Sequence, residues 1–217
     1  MSYELRSREI AEALLAIQGV GFRPAAPITF KSGIKSPVYC DNRRFPFWPE
    51  QWARVIAGFQ ALIAERAIPV DVVGGVEAAG IPHSAALGFA MRKPSVFIRK
   101  EPKEHGTRRR VEGGDVTGLR VVLVEDLVTT GGSSMAAIEA LRSEGAVVHD
   151  CLAIISYDLP EALELFARGG VRLHTTTTFP VVLECAVQQG LIGEAEAAIV
   201  HDWLREPRSW AARHGIE

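Results

Sequence analysis

Hydrophobic positions recur along this chain of 217 residues with two different periods. Near the amino terminus Leu5, Ile10, Ala13, Leu14 and Ile17 fall at helical spacing and predict an amphipathic helix over residues 3–18. Residues 28–41 switch to short extended runs about Ser32-Gly33, the pattern of a hairpin with a glycine turn. A second helix is expected over 49–66, after which strands and helices alternate. The strands are 70–75, 95–99, 120–124 and 147–156; the helices are 82–91, 134–144 and 160–168. Another strand over 171–176 precedes a helical tail that ends in a polar segment containing Pro207. This alternation predicts an α/β fold with a mostly parallel sheet flanked by helices, and it leaves the amino-terminal part as a small hood over the sheet.

Residues 121–134, VVLVEDLVTTGGSS, concentrate the candidate chemistry. Val121, Val122, Leu123 and Val124 read as a strand covered on both faces, expected to stop where the charges begin. Glu125 and Asp126 then stand at its carboxyl end, where open α/β sheets place their ligand crevice. Thr129, Thr130, Gly131, Gly132 and Ser133 lead into a helix expected from Ser134. Glycines admit an anion close to backbone N–H groups, hydroxyls add donors, and the helix amino terminus favours negative charge. Two adjacent carboxylates suit the vicinal hydroxyls of a ribose. Together these features describe a site for a ribose 5-phosphate, although a strand, an acidic pair and a glycine turn also arise from topology alone. The run contains neither GK[ST] nor GxGxxG, which removes the main support for an ATPase or a dinucleotide-binding reading.

This segment resembles the 5-phosphoribosyl 1-diphosphate (PRPP) motif of type I phosphoribosyltransferases, and EDLVTTGGS resembles the orotate branch. The resemblance implies the type I fold, with PRPP held by Glu125, Asp126, Leu127, Val128, Thr129, Thr130, Gly131, Gly132 and Ser133. Three further stretches support it. In residues 72–84, Gly74, Gly75 and Gly80 allow a tight bend, and GIPH is similar to the orotate enzymes, whose corresponding turn binds pyrophosphate. Glu77-Ala78-Ala79 stands where the family has a small hydroxyl residue or lysine, so backbone groups are expected to make the contacts there, with Glu77 turned away or towards a metal. In residues 99–114 six cations (Arg99, Lys100, Lys103, Arg108, Arg109, Arg110) outnumber Glu101 and Glu104, which by composition alone fits a solvated loop as well as a polyanion site. RKxxKxHG resembles the mobile catalytic loop of the orotate enzymes. By that resemblance Arg99, Lys100, Lys103 and His105 meet the diphosphate, Lys103 leads in catalysis with Asp126 and Glu125, and Gly106, Gly113 and Gly114 give hinge freedom. The loop would enter the site of a second subunit, making a homodimer. Arg108, Arg109 and Arg110 are read as solvated.

The hairpin FKSGIKSPVYCDNR resembles the orotate enzymes too, and implies orotate contacts from Lys31, Thr129 and Tyr39, with Cys40 beside Tyr39 in the base pocket. Some members carry an orotate-binding arginine after the strand that ends near Ser156; here Tyr157-Asp158 follows. His83, His149, His174, His201 and His214 lack metal-ligand spacing and are read as packing or surface residues.

Composition narrows the picture. A chain that is 47% hydrophobic can bury one core, so residues 1–217 are expected to form one domain, with a hood to about 48, a core to about 180 and a helical tail beyond. A net charge of −2 argues against a surface built for nucleic acid. Three dispersed cysteines suggest neither a disulfide framework nor zinc and fit a reducing cytoplasm. No apolar run approaches the roughly 18 residues that span a bilayer. The resemblance therefore implies Mg²⁺-dependent transfer of ribose 5-phosphate from PRPP to orotate, the metal being held mainly by substrate. Alternatives are transfer to another base, or a regulatory protein that senses PRPP.

Overall fold

The computed structural model describes residues 2–30, 32–101 and 109–216. Ser2 caps the first helix, α1 (Tyr3–Ala16), by accepting the Leu5 N–H. Ile10, Ala13, Leu14 and Ile17 are buried as their spacing predicts, whereas Leu5 is 58% exposed. Short strands follow: β1 (Val20–Phe22), β2 (Ile28–Thr29), β3 (Lys35–Ser36) and β4 (Val38–Cys40). The expected hairpin is present as an antiparallel β2–β3 pair, and Gly33 supplies the left-handed turn with φ +83°. Its last strand, β4, leaves that hairpin and pairs with β1 instead. A 3-10 helix (Asn42–Phe47) leads to α2 (Pro49–Glu65).

The core then alternates as β5 (Val72–Val76), α3 (Gly80–Met91), β6 (Ser95–Ile98), β7 (Val111–Glu112), β8 (Arg120–Val128), α4 (Gly132–Ser143), β9 (Val147–Ser156), α5 (Pro160–Arg168) and β10 (Arg172–Thr178). The six strands lie in the order β10-β9-β8-β5-β6-β7. Every pair is parallel except β6–β7, a short antiparallel extension inside the stretch read as loop. Strand alternation divides the interior. Val122, Val124, Leu152 and Ile154 face α1, α2, α3 and α6 (Phe179–Gln188). Val121, Leu123, Cys151 and Ala153 face α4 and α5.

Two departures from expectation affect the site. β8 does not stop at Val124 but runs four residues further, pairing Glu125 with Ala153, Leu127 with Ile155 and Val128 with Ser156. A ladder uses backbone groups, so charged side chains do not end it when they find partners. The carboxyl-terminal region, meanwhile, returns to the hood. After α6 come α7 (Glu194–Arg205) and α8 (Pro207–Arg213), which bury Trp203 and Trp210 completely. The Trp203 indole donates to the Lys35 carbonyl at 2.8 Å, and its ring meets Phe30 and Tyr157 edge-on at 6.0 and 5.2 Å.

Close approach between α3 and β8 depends on Gly80, because a Cβ there would lie 2.5 Å from the Val124 carbonyl oxygen. Gly80→Ala is expected to cost about 2 kcal/mol through overpacking, lowering Tm by about 6 °C for a domain of this size in a calorimetric scan.

Candidate active site

From β5 the chain proceeds to β6 on one side and returns to β8 on the other, so the helices after β5 and β8 diverge. The carboxyl ends of these strands therefore flank a crevice. Two connected hollows occupy it, sharing Val76, Lys100 and Ser133. The larger, about 660 Å³, has Phe30 and Ser32 from the hood, Arg99 and Lys100 from the end of β6, and Thr129 and Thr130. The smaller, about 340 Å³, is lined by Arg43, Glu77, Glu125, Asp126 and Leu127.

Parity along β8 gives the two carboxylates different surroundings. Glu125 continues the Val121–Leu123 face towards α4, where its Oε2 accepts from the hydroxyls of Ser133 and Ser134 at 3.3 and 3.2 Å. Only 4% of it is exposed. Burial, reinforced by the neighbouring Asp126 charge, pushes its carboxyl well above the usual range. Asp126 points towards the hood. Burial raises it as well, but a hydrogen bond from Glu125 and the Arg43 charge pull the other way. Both carboxyls are thus shifted upward and titrate as one interacting pair. Asn42, completely buried, donates its carboxamide to the Asp126 carbonyl at 2.9 Å and fastens the hood to the end of β8.

Beyond β8 the chain turns through Thr129 and Thr130 to Gly131, whose φ of +80° opens α4. The left-handed turn sets the amino terminus of α4 beside the crevice, which Thr129, Thr130 and Ser133 line, the placement an anion cradle requires. Val128 itself is buried, so only its backbone can face a ligand. Across the crevice the backbone N–H of Lys100 donates to Glu77 Oε2 at 2.8 Å, which settles the orientation of Glu77. Arg110 corrects the expectation of a solvated cation. Its guanidinium donates to the carbonyls of Arg99 and Ala136 at 2.8 and 3.2 Å, and it lines the larger hollow. Arg109 is exposed as expected. Lys31, Lys103, His105 and Arg108, along with the Gly106 hinge, lie outside the described residues.

Tyr39 and Cys40 diverge, as neighbours on a strand must. Cys40 is buried, and desolvation raises its thiol far above the ordinary value, which keeps it protonated. Tyr39 is 39% exposed, and its hydroxyl accepts from Arg43 Nη2 at 2.7 Å. At the Tyr157-Asp158 position Tyr157 is buried between Phe30 and Phe179, at 5.8 and 4.9 Å, while Asp158 is exposed. His83 is a packing residue: burial lowers its pKa to about 4, and the neutral ring accepts from the Trp52 indole.

Among the described residues no cluster of three or more His, Cys, Asp or Glu could hold a metal ion. Glu77 and Glu125 accept hydrogen bonds, and Asp126, itself bonded by Glu125, lines the smaller hollow beside them. Such a donor set suits a hard cation that retains water and is held mostly by phosphate oxygens.

The site residues missed by sequence reasoning are Asn42, Arg43, Ser134 and Arg110. Asn42 and Arg43 did carry a signal, an amide and a cation directly after the hairpin.

Residues 50–162 match the phosphoribosyl transferase domain family. An orotate phosphoribosyltransferase of Bacteroides thetaiotaomicron is 40% identical over 205 residues, 94% of this chain and 97% of that protein. The crystal structure of orotate phosphoribosyltransferase from Aeropyrum pernix is 33% identical, with a TM-score of 0.73 over 85% of this chain and 99% of that one. That of Mycobacterium tuberculosis H37Rv orotate phosphoribosyltransferase in complex with PRPP is 26% identical, with a TM-score of 0.64, covering 82% and 98% of the two chains.

Burying Glu125 carries a pH signature. Unfolded, it ionises near 4.5; folded, it holds its proton towards about 8. Its contribution is therefore fully present below the lower value and is lost as pH rises to the upper one. Glu125→Gln escapes that loss. Its Tm relative to the unsubstituted chain is expected to rise steadily from pH 4.5 to 8 in thermal unfolding, and a flat difference would show that Glu125 ionises normally.

Proposed function

Because the chain belongs to the orotate phosphoribosyltransferase family, we propose that it joins the ribose 5-phosphate of PRPP to a ring nitrogen of orotate, releasing diphosphate and orotidine 5′-monophosphate (OMP) for pyrimidine nucleotide synthesis. The observation that supports this most is the juxtaposition of Asp126 and Glu125, the Gly131 turn and the cationic end of β6 about one crevice. The scissile bond joins ribose C1 to a diphosphate oxygen. As it breaks, positive charge grows on the sugar and negative charge on the leaving group, so one must be held and the other neutralised.

Asp126 accepts from the ribose hydroxyls, with Glu125 behind it, braced by two serines. Backbone and hydroxyl groups of Thr129, Thr130, Gly131, Gly132 and Ser133 take the 5-phosphate, with Leu127 and Val128 contributing main chain. Arg99 and Lys100 neutralise the diphosphate, joined on the strength of the resemblance by Lys103 and His105. Lys31, Tyr39 and Thr129 receive orotate. Asp126, together with substrate oxygens, would hold Mg²⁺, which would supply further charge neutralisation of the diphosphate. A closed loop over the crevice excludes water that would otherwise hydrolyse PRPP. The active form is a homodimer whose 99–114 loops serve each other's sites, each chain being one domain of hood, core and tail. No helix among the described residues is long and apolar enough to cross a membrane, and the three cysteines are free and buried, which supports a cytoplasmic setting.

The test is orotate consumption by ultraviolet absorbance with PRPP and Mg²⁺, beside uracil, adenine, hypoxanthine and xanthine. Turnover of a different base would reassign the acceptor, and tight PRPP binding without any turnover would favour a sensor. Asp126→Asn is expected to lower kcat by about a hundredfold or more at unchanged Tm. Equal mixing of inactive Asp126→Asn and Lys103→Ala chains, with subunit exchange, should recover roughly a quarter of full activity, because half the dimers are mixed and each has one intact site. No recovery after demonstrated exchange would reject the shared site.

A further inference from the structure

We infer that Arg43 is an additional substrate-binding residue that donates to an anionic oxygen of the diphosphate; the inference deepens the phosphoribosyl-transfer reading and rests on it. Arg43 belongs to the hood, yet its side chain lines the smaller hollow together with Glu77, Lys100, Glu125 and Asp126. The segment that carries it is fixed at both ends. Asn42, one residue before, is completely buried and bonded to the Asp126 carbonyl, and Phe45, two residues after, is completely buried as well. The guanidinium is tethered from two sides: Nε donates to Asp41 Oδ1 at 2.6 Å and Nη2 to the Tyr39 hydroxyl at 2.7 Å. Those bonds leave Nη1 without a protein partner among the described residues. Asp41 balances part of the charge, but 61% of the Arg43 side chain remains exposed, so the cation is held without being sealed off.

Its position decides what it binds. Asp126 beside it is read as facing the ribose, and Glu125 is turned to Ser133 and Ser134, so neither acid serves an anion. A guanidinium and Lys100 lining the same hollow as the Glu77–Ala79 turn match a group with several negative oxygens. The diphosphate is the part of PRPP with that character near the ribose C1. Arg43 would bind it from the hood side while Arg99 and Lys100 bind it from the end of β6.

Running the reaction in both directions isolates the contact. Arg43→Ala is expected to raise KM for PRPP, and for diphosphate in the reverse reaction, about tenfold. KM for orotate and for OMP should stay within about twofold, as one lost charge-assisted hydrogen bond to diphosphate implies. Arg43→Lys, which keeps the charge but not the fork, should recover part of the loss. Arg44→Ala removes an exposed cation from the same turn and is the control for charge alone. An unchanged KM for PRPP and diphosphate would overturn the proposal, as would an equal rise in all four constants with a lowered Tm, or the same effect from Arg44→Ala. Calorimetric titration of PRPP with Mg²⁺ needs no base. Weaker PRPP binding by Arg43→Ala in a protein that consumes no orotate would therefore uphold Arg43 while removing the orotate reading. Absence of PRPP binding by the unsubstituted chain would remove both.

Discussion

The reversal of strand order between β5 and β8 is the constraint from which the site follows. Helices after two adjacent parallel strands that wind in opposite directions cannot cover both carboxyl ends, and the gap is lined by whatever residues those ends carry. Here β5 ends in a turn of mostly small residues, and β8 carries two acids near its end, before a glycine turn. Gly80 allows α3 to approach the Val124 carbonyl closely, one residue before Glu125, so the packing that closes the core also sets the floor of the crevice.

The acids are not duplicates. Strand geometry turns one to α4 and the other to the hood, although burial shifts both upward. Glu125 accepts from Ser133 and Ser134 and thereby ties the first turn of α4 to the strand. Asp126 lines the smaller hollow on the side of the hood's Arg43. The hood reaches the same place through Asn42, so floor, loop and roof converge on two consecutive residues of β8.

Much of this was legible in the chain. Runs of β-branched residues ending in glycine turns marked β5 and β8, and the parallel sheet followed from their alternation with helices. The end of β8 was misjudged because adjacent carboxylates look like a surface turn; hydrogen bonds from the Ser133 and Ser134 hydroxyls let Glu125 lie inside. Arg110 was indistinguishable from its neighbours in a cationic run, since only the fold brings the Arg99 and Ala136 carbonyls to it. The pairing of β4 with β1 could not be read from three-residue segments with no clear alternation. Nor could the function of the tail, whose partners are distant in sequence.

That distance sets the order in which the molecule can be completed. The Trp203 indole bonds to a carbonyl 168 residues earlier, and α1 is joined to β10 through Tyr3 to Thr175 and Ser7 to Thr177, at separations of 172 and 170. On a ribosome adding about 5–20 residues per second, the amino-terminal hood emerges on the order of ten to thirty seconds before the segments that hold it. During synthesis it is a roof without walls, and it gains them only once β10 and α7 have followed it out of the ribosome.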